Sequence, residues 1–75
     1  MSNETTKFGK KVREVRLKKK LSQGDIARIL GVHRSYISGL ERGVRNPSLD
    51  VIAKIALALE TTPSDLLSAM SVSER

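Results

Sequence analysis

The sequence predicts an all-α domain, five helices around one core. Three observations predict it. Apolar residues recur three and four apart in successive stretches of the chain, the period of a helix with one buried face. Residues that cap or stop helices punctuate those stretches: Ser22, Gly31, Gly43, Ser48, Thr62 and Pro63. No stretch alternates apolar and polar residues as a half-buried strand would.

Residues 1–6 are expected to be a flexible N-terminus, with the folded domain over 7–70 and a flexible end over 71–75. Thr6 can cap a first helix over 7–19, whose core stripe is Phe8, Val12 and Val15. Leu17 lies off that stripe and is expected to be partly exposed. Ser22 caps a second helix, in which Ile26, Ala27, Ile29 and Leu30 fall at helical spacing. Gly31 stops it, because glycine takes left-handed backbone angles at little cost.

A third helix over 34–42 has sharply divided faces. At about 100° per residue, Tyr36, Ile37 and Leu40 fall together. Ser35, Ser38, Gly39 and Arg42 fall opposite, with Arg34 at the edge, and Gly43 ends the helix. A loop follows, in which Pro47 fits a turn. Ser48 caps a fourth helix over 49–59 with the stripe Leu49, Ile52, Ala56 and Leu59. A second apolar set, Val51, Ile55 and Ala58, points elsewhere and needs something else to bury against. Thr62 caps a last helix, with Pro63 at its first position and Asp65 completing a capping box; Leu66, Leu67 and Met70 follow.

Length and charge narrow the function. Seventy-five residues make one domain. A chain this small buries only about 60% of its unfolded surface, so dimerisation would help it. The net charge is +6, concentrated early: residues 7–20 carry a net +7 and residues 47–75 a net −2. One face is therefore suited to a polyanion and another faces away from it. With no cysteine, neither a disulfide nor a thiolate metal site is available. No apolar run approaches the ~20 residues of a membrane span. The first residues lack the pattern of a signal peptide, so a cytoplasmic location is expected.

Catalysis is not expected. His33 is the sole histidine, no carboxylate stands at metal-ligand spacing from it, and no serine has a histidine–carboxylate arrangement. No glycine-rich phosphate loop is present. The expectations are no catalytic residue, no metal, no cofactor and no small-molecule ligand.

Residues 22–43, two short helices and a tight turn, form a helix-turn-helix, with the helix over 34–42 as recognition helix. Its polar, cationic face suits the edges of base pairs. Arg34, Ser35 and Ser38 stand where that helix enters the major groove and are the expected base readers; Arg45, in the loop, is a further candidate. Tyr36, Arg42 and Asn46 are expected at phosphates, with Lys18, Lys19 and Lys20 adding long-range attraction. At least one of those lysines is expected to be an ordinary solvated side chain. Gln23 begins the second helix, whose dipole and free N–H groups favour an anion. Gly24 and Gly39 each cost about 1 kcal/mol relative to alanine. Gly39, on the polar face, either lets the helix approach DNA closely or is neutral.

The pairs Ser22-Gln23, Ile26-Ala27, Gly31-Val32 and Ile37-Ser38, with the run Leu40-Glu41-Arg42-Gly43, resemble the phage-repressor/Cro-like (xenobiotic-response-element) family over roughly residues 8–67. The resemblance implies a compact lambda-repressor-like DNA-binding domain and a phosphate contact at Gln23. It also implies an ion pair between Arg16 and Glu41 that ties helix 1 to helix 3. The run Arg34-Ser35-Tyr36-Ile37-Ser38, with Glu41-Arg42-Gly43 and Arg45-Asn46-Pro47-Ser48, resembles the controller proteins of restriction–modification systems. That resemblance implies a homodimer on a palindromic operator in double-stranded DNA, activating or repressing by promoter position. With no second domain expected for a ligand or for cleavage, what it senses is expected to be its own concentration. Val51, Ile55, Ala58, Leu66 and Met70 are the expected dimer surface, away from the basic face. The alternative is a protein-interaction module, such as an antitoxin or a transcriptional adaptor, using the same apolar faces. RNA binding is weaker, because Phe8 and Tyr36 are the only aromatic residues and Phe8 is needed in the core.

Overall fold

The computed structural model describes residues 4–67. Its elements are α1 (Glu4–Lys18), α2 (Gln23–Leu30), α3 (Arg34–Arg42), α4 (Leu49–Ala58) and α5 (Pro63–Leu67). No strand occurs among the described residues. The α1 helix packs chiefly on α3, α2 packs on α3 and α4, and α5 closes the bundle against α1 and α4. Phe8, Val12, Ile26, Ile37, Leu40, Ile55, Leu59 and Leu66 fill the centre.

Most helix ends are built by local chemistry. The Ser22 hydroxyl accepts the Asp25 N–H at 2.9 Å while the Asp25 carboxylate accepts the Ser22 N–H at 2.8 Å, a reciprocal box. Ser48 accepts the Val51 N–H, and Thr62 accepts the Asp65 N–H. Gly31 and Gly43 end their helices at φ 74° and 80°. The α1 and α4 helices stop differently, on Lys20 at φ 60° and Glu60 at φ 57°, left-handed residues that are not glycine. The bonds around them are of the helix-stop kind: Leu21 N–H to Arg16 C=O, and Thr61 N–H to Ala56 C=O.

Three expectations change. The first helix begins at Glu4, so Glu4, Thr5 and Thr6 are helical and Thr6 is not its cap. Tertiary docking explains the extra turn. The Thr5 hydroxyl reaches Asn46, and Thr6 packs so closely on Gly43 that a Cβ there would lie 2.8 Å from the Thr6 Cα. In α4 the buried stripe is Ile52, Ile55, Ala56 and Leu59, while Leu49, in the first turn, is 80% exposed.

The third change concerns the dimer surface. Ile55 and Leu66 are fully buried in the monomer core, so neither can meet a partner. Val51 and Ala58 are half-buried, packed against that core, and Met70 lies outside the described residues. The apolar side chains left in solvent on α4 are Leu49 and Leu57, with Ala53 between them. At i, i+4 and i+8 they form one row on the helix surface. Ile29 on α2 is also exposed, off the core that Ile26 and Ala27 join.

Candidate nucleic-acid interface

A buried ion pair sets the orientation of the recognition helix. The Arg16 guanidinium donates to both Glu41 carboxylate oxygens, at 2.6 and 3.0 Å, and to the Leu21 carbonyl at 2.8 Å. Both side chains are more than nine-tenths buried. Gln23 adds a third donor to the same carboxylate, its Nε2 lying 3.0 Å from Glu41 Oε1. The start of α2, the end of α3 and the last turns of α1 are thus joined at one carboxylate. A close backbone approach completes the joint. A Cβ on Gly9 would lie 2.7 Å from the Glu41 carbonyl oxygen and closer still to that of Leu40. Sequence reasoning missed Gly9, because the demand on it comes entirely from another helix.

On this frame, Gln23, His33, Arg34, Ser35 and Ser38 line one open cavity of about 370 Å³ at the starts of α2 and α3. The turn between the helices brings them together. Arg34 and Ser35 are exposed in the first turn of α3, and Ser38 is half-buried one turn on. His33 precedes them as a cap residue without a side-chain cap bond, its Nδ1 3.5 Å from the Ser35 hydroxyl. Four of these five are expected DNA contacts; His33 is an addition, legible only once the turn folds it beside them. The Ser22 N–H holds the neighbouring Asp25 carboxyl below the usual carboxylate range, with Arg28 at 2.6 Å helping.

The remaining expected contacts do not line this cavity. Tyr36 is half-buried and carries Arg45, whose guanidinium stands 5.9 Å from the ring centroid. Arg42 is exposed in the last turn of α3, and Asn46 is tied to Thr5 in the loop beyond. Gln23 is less available than its position suggested, since its amide nitrogen is committed to Glu41. Lys18 lies 3.7 Å from Glu14 on its own helix, and Lys19 lies 3.9 Å from Glu60 beyond α4. Gly39 does not lie open on the polar face: it is buried, and Arg45 and Val44 cover it.

An exposed, cationic recognition helix locked to its neighbours by a buried ion pair is the architecture of a DNA-reading domain. The chain matches the helix-turn-helix family over residues 12–66. The control protein C.BamHI of Bacillus amyloliquefaciens is 50% identical over 66 residues, which cover 87% of this chain and 82% of that protein. The chain belongs to the helix-turn-helix family of restriction–modification control proteins. The crystal structure of the controller protein C.AhdI from Aeromonas hydrophila superposes with a TM-score of 0.80 at 48% identity, covering 83% of this chain and 94% of that one. The C.Esp1396I controller protein, solved as a tetramer on its natural 35 base-pair operator, gives a TM-score of 0.80 at 28% identity, covering 93% of this chain and 92% of that one. These control proteins are DNA-binding regulators of transcription, not enzymes, and the chain is of that class. No helix among the described residues is long and apolar enough to cross a membrane.

Proposed function

We propose that the chain binds a palindromic operator as a homodimer and controls the genes of a restriction–modification system together with its own. The observation that carries this reading is the convergence of Gln23, His33, Arg34, Ser35 and Ser38 on one open face. Arg34 is the principal base reader, because a guanidinium can donate two hydrogen bonds to guanine O6 and N7. Ser35 and Ser38 add shorter, less discriminating contacts, and Arg45 supplies a second cationic reader from the loop. Tyr36, Arg42 and Asn46 hold phosphates. Gln23 joins them mainly through the backbone N–H groups that begin α2, where the helix dipole favours an anion. Lys18 contributes long-range attraction, reduced by Glu14 beside it. Two serines and two arginines make a thin direct code, so DNA shape supplies part of the specificity.

The homodimer buries the row Leu49, Ala53 and Leu57 on α4, in place of the core residues Ile55 and Leu66. A twofold arrangement sets the two recognition helices roughly one DNA turn, about 34 Å, apart. The tetrameric operator complex of C.Esp1396I supports assembly of copies on DNA.

The test is a fluorescence-anisotropy titration against the duplex immediately upstream of the gene, with a random duplex and a salt series as controls. Tight, salt-dependent binding confined to the upstream duplex, weakened about 5- to 150-fold by Arg34→Ala (about 1–3 kcal/mol), is the expected result. Equal weak binding to both duplexes would instead favour a protein-interaction module.

A further inference from the structure

Gly39 lies in the middle of α3 and is buried, and the atoms nearest the place of its missing Cβ belong to the loop after α3. Its cover is the side chain of Arg45. A Cβ on Gly39 would stand 2.8 Å from Arg45 Cγ and 3.5 Å from both Arg45 Nε and Val44 Cγ2. The stem of Arg45 therefore lies in the space where a side chain at position 39 would begin. The chain is brought back to this place by Gly43 at φ 80° and by the Val44 N–H, which bonds the Gly39 carbonyl at 3.0 Å. Beyond the stem, the guanidinium meets the face of Tyr36 within cation–π range. Glycine, turn and ring together hold a long, flexible cation along the helix expected to read DNA.

We propose that Gly39 is a positioning residue for DNA recognition: its missing Cβ seats Arg45 along α3 and so fixes which base step Arg45 reaches. The proposal rests on reading α3 as the recognition helix. A seated arginine loses less side-chain freedom on binding than a mobile one. Alanine at 39 suits a helix better than glycine, and the atom it displaces belongs to a flexible side chain. The fold therefore survives Gly39→Ala while Arg45 moves.

The experiment has two arms. In the first, NMR of the free protein compares Arg45 side-chain protons in the wild type, Gly39→Ala and Tyr36→Leu. The Arg45 guanidinium stands 5.9 Å from the Tyr36 ring centroid, so a ring-current shift at Arg45 that disappears in Tyr36→Leu has that ring as its source. The shift is expected in the wild type and lost in both variants, with circular dichroism unchanged in Gly39→Ala. In the second, wild type, Gly39→Ala, Arg45→Ala and the double variant each select sites from a pool of randomised duplexes, and the wild-type site is then titrated. Gly39→Ala is expected to lose preference at the same base positions as Arg45→Ala. It should weaken binding about tenfold in the wild-type background but less than about twofold in the Arg45→Ala background. An Arg45 shift that persists in Gly39→Ala, or an equal loss in both backgrounds, overturns the proposal. No enrichment by the wild type overturns the DNA reading itself, a result distinct from enrichment of one unchanged site by every variant, which overturns only the role of Gly39.

Discussion

Replacing Arg16 by methionine tests the frame that holds the recognition helix. The substitution removes two bonds to Glu41 and one to the Leu21 carbonyl. It leaves a carboxylate whose side chain is 3% exposed with Gln23 as its remaining side-chain donor. Breaking a buried pair from one side costs about 3–5 kcal/mol, because the surviving charge stays desolvated. A domain of this size has a total stability of about 4–11 kcal/mol, so much of it is lost. At about 4–8 °C per kcal/mol, the melting temperature falls by at least about 12 °C. Urea denaturation followed by circular dichroism measures the loss. The double variant Arg16→Met with Glu41→Leu separates charge from packing. With no charge left buried, it should recover most of the stability, since an apolar pair of similar volume is often neutral or better. A loss below about 1 kcal/mol for Arg16→Met, or no recovery in the double variant, would refute the reasoning.

Three further outcomes are expected. Gly9→Ala is expected to destabilise by about 1–3 kcal/mol, because the new methyl group meets the rigid backbone carbonyls of Leu40 and Glu41; thermal melting checks it. Leu57→Lys, at a side chain 79% exposed, should leave the monomer fold intact while shifting sedimentation equilibrium from dimer to monomer and weakening operator binding. A wild type that stays monomeric at high micromolar concentration would contradict the dimer itself. Asp25 has its folded pKa held below the ordinary value, chiefly by the Ser22 N–H. Its contribution is therefore fully present above the unfolded carboxylate pKa and lost as pH falls through the folded one. Asp25→Asn should flatten that acid limb of the stability–pH profile relative to wild type.

What the sequence made legible was the local chemistry. Ser22, Gly31, Gly43, Ser48 and Thr62 announce the helix ends by side-chain type and backbone angle alone, and the structure uses each one. The period of Phe8, Val12 and Val15 gave the buried face of α1 for the same reason. Where tertiary contact decides, the sequence was silent or misleading. The first turn of α1 forms because Thr5 and Thr6 dock on Asn46 and Gly43, which lie far along the chain. Two overlapping apolar periods on α4 cannot say which meets the core, and Ile55 went inward while Leu49 stayed out. Left-handed Lys20 and Glu60 carry no sequence signal, since neither is glycine or asparagine. At the site, Arg34, Ser35 and Ser38 were legible from helix phase. The burial of Gly39 beneath Arg45 was not, because a loop that folds back over a helix leaves no periodicity.

The most direct measurement of the central claim is a 15N–1H chemical-shift titration of the protein with the duplex upstream of its gene. Perturbed amides are expected at Gln23 and Gly24, through His33 to Ser38, and over Gly43 to Asn46, with Asp50 and Lys54 on α4 undisturbed. Perturbations concentrated on α4 instead, with Arg34 and Ser35 unmoved, would contradict the account of α3 as the helix that reads DNA.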